Sequence, residues 1–91
     1  TVVETYVNGK SGYRIWSDGF CEQWGFFNLG ATSANITLLK AYRDKNYNIQ
    51  LTDGGHARIS YGAEAISNEY FKVYGTAASN IAFWQTKGYL A

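Results

Sequence analysis

The stretch Gly12-Tyr13-Arg14-Ile15-Trp16-Ser17-Asp18-Gly19-Phe20-Cys21-Glu22-Gln23-Trp24-Gly25 decides how this chain folds. Asp18 and Gly19 stand where a two-residue hairpin turn places them, between runs rich in aromatic and β-branched residues. Tyr13 to Trp16 and Phe20 to Phe27 therefore read as the two arms of a tight antiparallel hairpin. Arg14 and Glu22 then lie on facing strands, as a cross-strand pair would.

Outward from this hairpin the dominant period is two rather than 3.6. Toward the N-terminus, Asn8 to Gly12 reads as a turn. Before it Val3, Thr5 and Val7 alternate with Val2, Glu4 and Tyr6 as in a strand. Toward the C-terminus, Asn28 to Ser33 reads as a loop, Asn35 to Tyr42 as a strand and Arg43 to Asn46 as a charged turn. Tyr47, Ile49 and Leu51 alternate with polar neighbours in a strand that Asp53-Gly54-Gly55 ends. Arg58 to Tyr61, Tyr70 to Tyr74 and Ile81 to Tyr89 complete seven or eight short strands. Gly62 to Asn68 is the one stretch with the composition of a helical turn, since Ala63, Glu64, Ala65 and Ile66 favour helix slightly. Evenly spaced short strands predict an all-β fold, a small antiparallel β-sandwich or barrel.

Composition sets the outer bounds. Ninety-one residues enclose one core, so residues 1–91 form a single domain. Charged residues are 16% of the chain, where about 25% is usual, which leaves a neutral surface. Aromatics reach 18%, with 3 Trp, 8 Tyr and 5 Phe, more than one small core hides. Some of them are expected on a surface that something else covers. A net charge of +1 provides no basic field for nucleic acid or an anionic membrane. The longest apolar run, Ile81 to Trp84, is far short of the roughly 20 residues of a spanning helix, so membrane insertion is not expected. The opening residues carry no secretion signal and no Met, which reads as a fragment or a processed product. Cys21 is the single cysteine, which excludes an internal disulfide and a multi-Cys zinc site. The absence of Pro leaves sheet edges to be protected by other chains.

Catalytic patterns fail at named positions. Gly9-Lys10-Ser11 resembles the end of a phosphate-binding loop, but Glu4 stands where that motif needs Gly. No Ser sits in a G-x-S-x-G elbow; Ser60 fails through Arg58. His56 is the one imidazole. Threefold association would place three copies on an axis, whereas a solvated or hydrogen-bonded loop His is the plainer reading. Cys21 reads as a small buried hydrophobe on a strand rather than a thiolate beside His56. Among the carboxylates, Glu22 and Asp53 have the most interesting surroundings, but nothing in the sequence brings them together as glycan cleavage requires. Asn35-Ile36-Thr37 matches a glycosylation acceptor, a short motif common by chance. No catalysis, cofactor or metal is expected.

The hairpin closely resembles the aromatic-Arg-x-aromatic-Ser-Asp-Gly-aromatic-x-Glu-Gln-x-Gly segment near the C-terminus of many bacteriophage and prophage tail-fibre proteins. The matching residues are Tyr13, Arg14, Trp16, Ser17, Asp18, Gly19, Phe20, Glu22, Gln23 and Gly25. The ending, with Phe83-Trp84 and Gly88-Tyr89, is similar to the aromatic-rich final strand of such fibres. The middle, from Gly30 to Glu69, departs from the pattern.

The resemblance implies a compact β-sandwich knob at the fibre tip of a virion, assembled as a parallel homotrimer, that recognises a bacterial surface receptor. That receptor would be lipopolysaccharide or another glycan, or an outer-membrane protein. Tyr13, Arg14, Trp16, Asp18, Gly19, Glu22 and Trp24 would then build the common scaffold. Trp16 and Trp24 have two readings, sugar-stacking platforms or core and interface packing; packing is favoured because residues shared by fibres with different receptors encode what those fibres share. Receptor contact is expected where the chain departs from the pattern, on loops at one end of the sandwich: Arg43 to Asn46, Asp53 to Arg58 with Tyr61, and Gly75 to Asn80. The candidate contact residues are Arg43, Asn46, Asp53, His56, Arg58, Tyr61 and Asn80. Two other functions compete, a structural trimerisation or capping domain and an enzyme that trims surface polysaccharide.

Overall fold

The computed structural model describes residues 1–29, 32–54, 60–75 and 80–91, with the backbone alone at Asn80. Among them are eight strands and no helix: β1 (Val2–Asn8), β2 (Ser11–Trp16), β3 (Phe20–Leu29), β4 (Ser33–Thr37), β5 (Asn48–Asp53), β6 (Tyr61–Ala65), β7 (Tyr70–Gly75) and β8 (Asn80–Tyr89). They form a five-stranded sheet in the order β1-β2-β3-β8-β5 and a three-stranded sheet in the order β4-β7-β6. Every pairing is antiparallel. The fold is the small antiparallel sandwich that the tail-fibre resemblance implies, two separate sheets rather than a closed barrel.

The hairpin is where the sequence places it. Arg14 pairs with Glu22 and Ile15 with Cys21, and the connection is the three residues Ser17 to Gly19 rather than two. Gly19 has φ +89°, a left-handed conformation that costs a side chain-bearing residue about 1 kcal/mol or more. The Phe20 N–H donates to Asp18 Oδ1 at 3.0 Å, and the Gly19 N–H donates to the Trp16 carbonyl at 3.0 Å. Both bonds fix the turn from within.

Alternation on β3 and β8 makes the core. Cys21, Gln23, Phe27 and Leu29 point inward from β3, as do Ala82, Trp84 and Thr86 from β8. Phe71 and Val73 of β7 meet them from the smaller sheet. The Phe71 and Trp84 rings pack edge to face with centroids 5.5 Å apart. Full burial of a side chain such as Phe71 or Leu29 is worth about 1.5–3 kcal/mol.

Two local expectations are overturned. Gly62 to Asn68 is not a helical turn: its first half is β6, where Ala63 pairs with Val73 and Glu64 with Lys72. The open edge of β7 outweighs a slight helix preference, because each paired residue gains ladder hydrogen bonds. The strand expected from Asn35 to Tyr42 ends at Thr37. Beyond it the chain crosses between the sheets, held by the buried side chain of Gln23. Gln23 Nε2 donates to the Lys40 carbonyl at 2.8 Å, and its Oε1 accepts the Lys40 N–H at 2.9 Å. The expected strand Arg58 to Tyr61 falls largely outside the described residues.

β4 meets β3 and β6 meets β5, and among the described residues no strand of the smaller sheet lies against β1. All seven residues of β1 are exposed, Val3 at 62% and Val7 at 59%.

Candidate functional site

The expected contact residues do not gather at one end. The Arg43 N–H donates to the Tyr89 carbonyl at 2.9 Å, and Tyr89 pairs with Phe20. Arg43 and Asn46 therefore belong to the end that carries the Ser17–Gly19 turn. Asp53 pairs with Ala82, Tyr61 with Gly75 and Asn80 with Leu29, at the opposite end. Tyr89 and Ala82 are separated by about 23 Å at ~3.3 Å per strand residue. A single-end arrangement is thus excluded, because the connections that carry these residues emerge alternately from the two ends of an antiparallel sandwich. His56 and Arg58, most of the loop from Gly75 to Asn80 and the Asn80 side chain lie outside the described residues.

At the turn end, Thr1, Trp16, Ser17, Asp18, Phe20 and Tyr89 line a hollow of about 400 Å³. The rings of Trp16 and Phe20 lie 5.5 Å apart at 58°, and those of Phe20 and Tyr89 lie 5.5 Å apart at 64°. Tyr89 stays 42% exposed, with the Arg43 guanidinium 5.2 Å from its ring centroid. On the other side of Arg43 a second hollow of about 650 Å³ is bounded by Arg43 to Asn46 and Ile66 to Asn68. The Asn46 N–H donates to Asp44 Oδ1 at 2.9 Å, and Arg43 reaches the Asp44 carboxylate at 3.9 Å. Both partners of that ion pair are exposed, so it adds little stability.

At the opposite end, Asp53 and Tyr61 share a hollow of about 330 Å³ with Ile49, Leu51, Gly62 and Ala63. The Tyr61 hydroxyl is enclosed and has no hydrogen-bond partner among the described residues. Burial, and secondarily the Asp53 charge, raise its pKa. Tyr61 also packs edge-on against Phe27, with centroids 5.9 Å apart.

The hairpin residues divide by environment. Trp24 lies across Gly12, where a Cβ would come within 2.7 Å of the indole; its ring packs against its own sheet. Trp16 opens onto the first hollow. Both are half-buried, whereas the fully packed tryptophan is Trp84, 6% exposed. The Tyr13 hydroxyl donates to Glu4, which raises the Tyr13 pKa, and its ring stacks on Tyr6 at 5.5 Å. On the outer face of the large sheet, Arg14, Glu22 and Lys87 stand in one row. Beyond that row Phe26 and Phe83 are exposed, with Lys10 Nζ 5.9 and 5.7 Å from their centroids. Among the described residues no three His, Cys, Asp or Glu side chains gather as metal ligands.

Sequence reasoning named neither Phe20 nor Tyr89 as a site residue. The available signal was local: Trp16 and Phe20 flank a three-residue turn on the same outer face. The partner Tyr89 comes from the far end of the chain.

No protein-family model matches the chain, and no curated protein matches it either. Solved structures do. The C-terminal portion of the P. aeruginosa R2 pyocin fibre superposes with a TM-score of 0.69 at 20% identity over 94% of this chain. An N-truncated R2-type pyocin tail fibre gives 0.69 at 20% identity over 97%, and an N-truncated R1-type pyocin tail fibre gives 0.66 at 16% identity over 96%. The chain spans 26%, 39% and 87% of those three chains. At these identities the likeness is one of fold: the sandwich described above is a fold found in pyocin tail fibres.

Proposed function

We propose that this chain, built on a fold that pyocin tail fibres share, is the receptor-binding tip of a phage-type tail fibre and works without catalysis as a homotrimer. The observation that carries the reading is the likeness to three tail-fibre structures over nearly the whole of this chain. The tail-fibre hairpin, Tyr13 to Gly25, points the same way independently of the superposition. In this reading the partner is a bacterial surface glycan or an outer-membrane protein, and the chain sits on a virion or particle at the end of a fibre.

The outer face of the large sheet supports assembly. Val7, Phe26, Ile81 and Phe83 are exposed there, and β1 offers an open edge with no Pro to blunt it. A second copy covering the part of that face between Val7 and Phe83, away from the Ser17–Gly19 turn, would remove both features from water. The same observation favours a second reading, a trimerisation or capping domain with recognition performed elsewhere in the fibre.

Adsorption of the labelled chain to a panel of bacterial strains separates the two. Retention by some strains and not others is expected. If no strain retains the chain while a longer fibre containing it adsorbs, the capping reading replaces receptor binding.

A further inference from the structure

We propose that the hollow walled by Trp16, Phe20 and Tyr89, with Asp18 on its rim, is a subsite for a neutral pyranose ring. The assignment deepens the receptor-binding reading and rests on it for its biological setting.

Three observations select this ligand chemistry. The wall is aromatic and continuous, with successive centroids 5.5 Å apart, and Tyr89 keeps 42% of its surface open. A pyranose ring presents one face of C–H groups, which pack on the negative face of an aromatic ring, while its hydroxyls radiate from the edge. Polar groups, Ser17 and Asp18, stand in the same lining as the rings. Asp18 Oδ1 already takes the Phe20 N–H, so the turn fixes the carboxylate. Its Oδ2 accepts no hydrogen bond among the described residues. Hydroxyl-to-carboxylate bonds are the stronger, charge-assisted kind, and a preset acceptor loses little entropy on binding. Outside the lining, the Arg43 guanidinium lies 5.2 Å from the Tyr89 ring centroid and offers donors.

The carboxylate also sets the charge of the ligand. Arg43 is already paired with Asp44 at 3.9 Å, so the carboxylate of Asp18 disfavours a phosphate or an acidic sugar and favours neutral hexoses. A hollow of about 400 Å³ is within the size of small-ligand sites, about 300–1,000 Å³. Stacking reads the ring and not its substituents. Trp16 thus acts as a platform and Trp24, pressed on Gly12, as packing; the two tryptophans of the hairpin part company.

The test is titration of the ¹⁵N-labelled chain with methyl hexopyranosides and, as the acidic arm, a methyl uronide, followed by amide and indole shifts. Saturable shifts at the Trp16 indole and Gly19 amide are expected with at least one neutral sugar and not with the uronide. Tyr89→Ala and Asp18→Asn should each weaken them at least tenfold. Asn retains the acceptor for the Phe20 N–H, so the turn persists, and Glu64→Gln on β6 of the smaller sheet should change nothing. Absence of shifts at Trp16 and Gly19 with every sugar, or unaltered binding by both variants, overturns the subsite. A chain that adsorbs to cells yet shows no such shifts loses the subsite and keeps the receptor reading. One that shows the shifts but adsorbs to no strain keeps the subsite and loses that reading.

Discussion

The hydroxyl of Tyr42 and Oγ1 of Thr86 lie 2.8 Å apart in the closed interior. Tyr42 donates its one proton to the Cys21 carbonyl at 3.2 Å, so Thr86 supplies the proton of the other bond. Both side chains are at most 1% exposed, and between them they tie the crossing segment to β3 and β8. Tyr42→Phe should cost about 1–3 kcal/mol by orphaning two buried groups, and Thr86→Val a similar amount. Urea denaturation of both singles and the double should show coupling of about 0.5–3 kcal/mol; strictly additive losses would mean that the two residues act separately.

Truncating tryptophans should separate core from platform. Trp84→Ala removes a buried indole packed on Phe71 and should cost about 3–5 kcal/mol. Trp16→Ala, at a half-buried ring, should cost less than half as much. Thermal melts of the two variants check the order, and a reversal would place Trp16 in the core.

Alkali should unfold the chain through its buried acids. Burial raises Cys21 from 9.0 to about 11, and raises Tyr42 and Tyr47 from 10.0 to about 12. Each is neutral when protonated, and folding holds the proton. Their contribution is therefore complete below pH 9.0, the ordinary Cys value. It is lost as pH climbs through the raised values. Melting temperature should stay level up to that point and then fall, with late tyrosinate absorbance appearing together with unfolding. Ionisation of every tyrosine near its ordinary pKa while the chain stays folded would contradict this.

Light scattering after size exclusion at micromolar concentration should give about three times the 10.2 kDa chain mass. A mass of 10.2 kDa would remove the trimer and leave the exposed valines of β1 to another partner.

How much of this was legible in the sequence follows from the range of each interaction. The hairpin could be read because Asp18 and Gly19 carry their turn chemistry within a few residues, and its register follows, as Arg14 opposite Glu22 shows. The end of β4 could not, since Gln23 captures the backbone of Lys40 from another strand. Gly62 to Asn68 misled because a local preference was weighed without the open edge of β7. The site divided for the same reason: Phe20 meets Tyr89 only through the β3–β8 ladder, a pairing that no local pattern encodes.

That ladder also orders events in time. β3 and β8 pair along ten residues, from Phe20 with Tyr89 to Leu29 with Asn80, and β8 leaves the ribosome after β1 to β7. The meander β1-β2-β3 closes short loops and forms early, whereas joining β8 to β3 requires closing most of the chain, the slow kind of contact. Until then Phe27 and Leu29 stand uncovered and β3 has a bare edge. Synthesis thus carries a period in which a half-built sheet is open to wrong pairing, and the arrival of the ten-residue β8 ends it in one step.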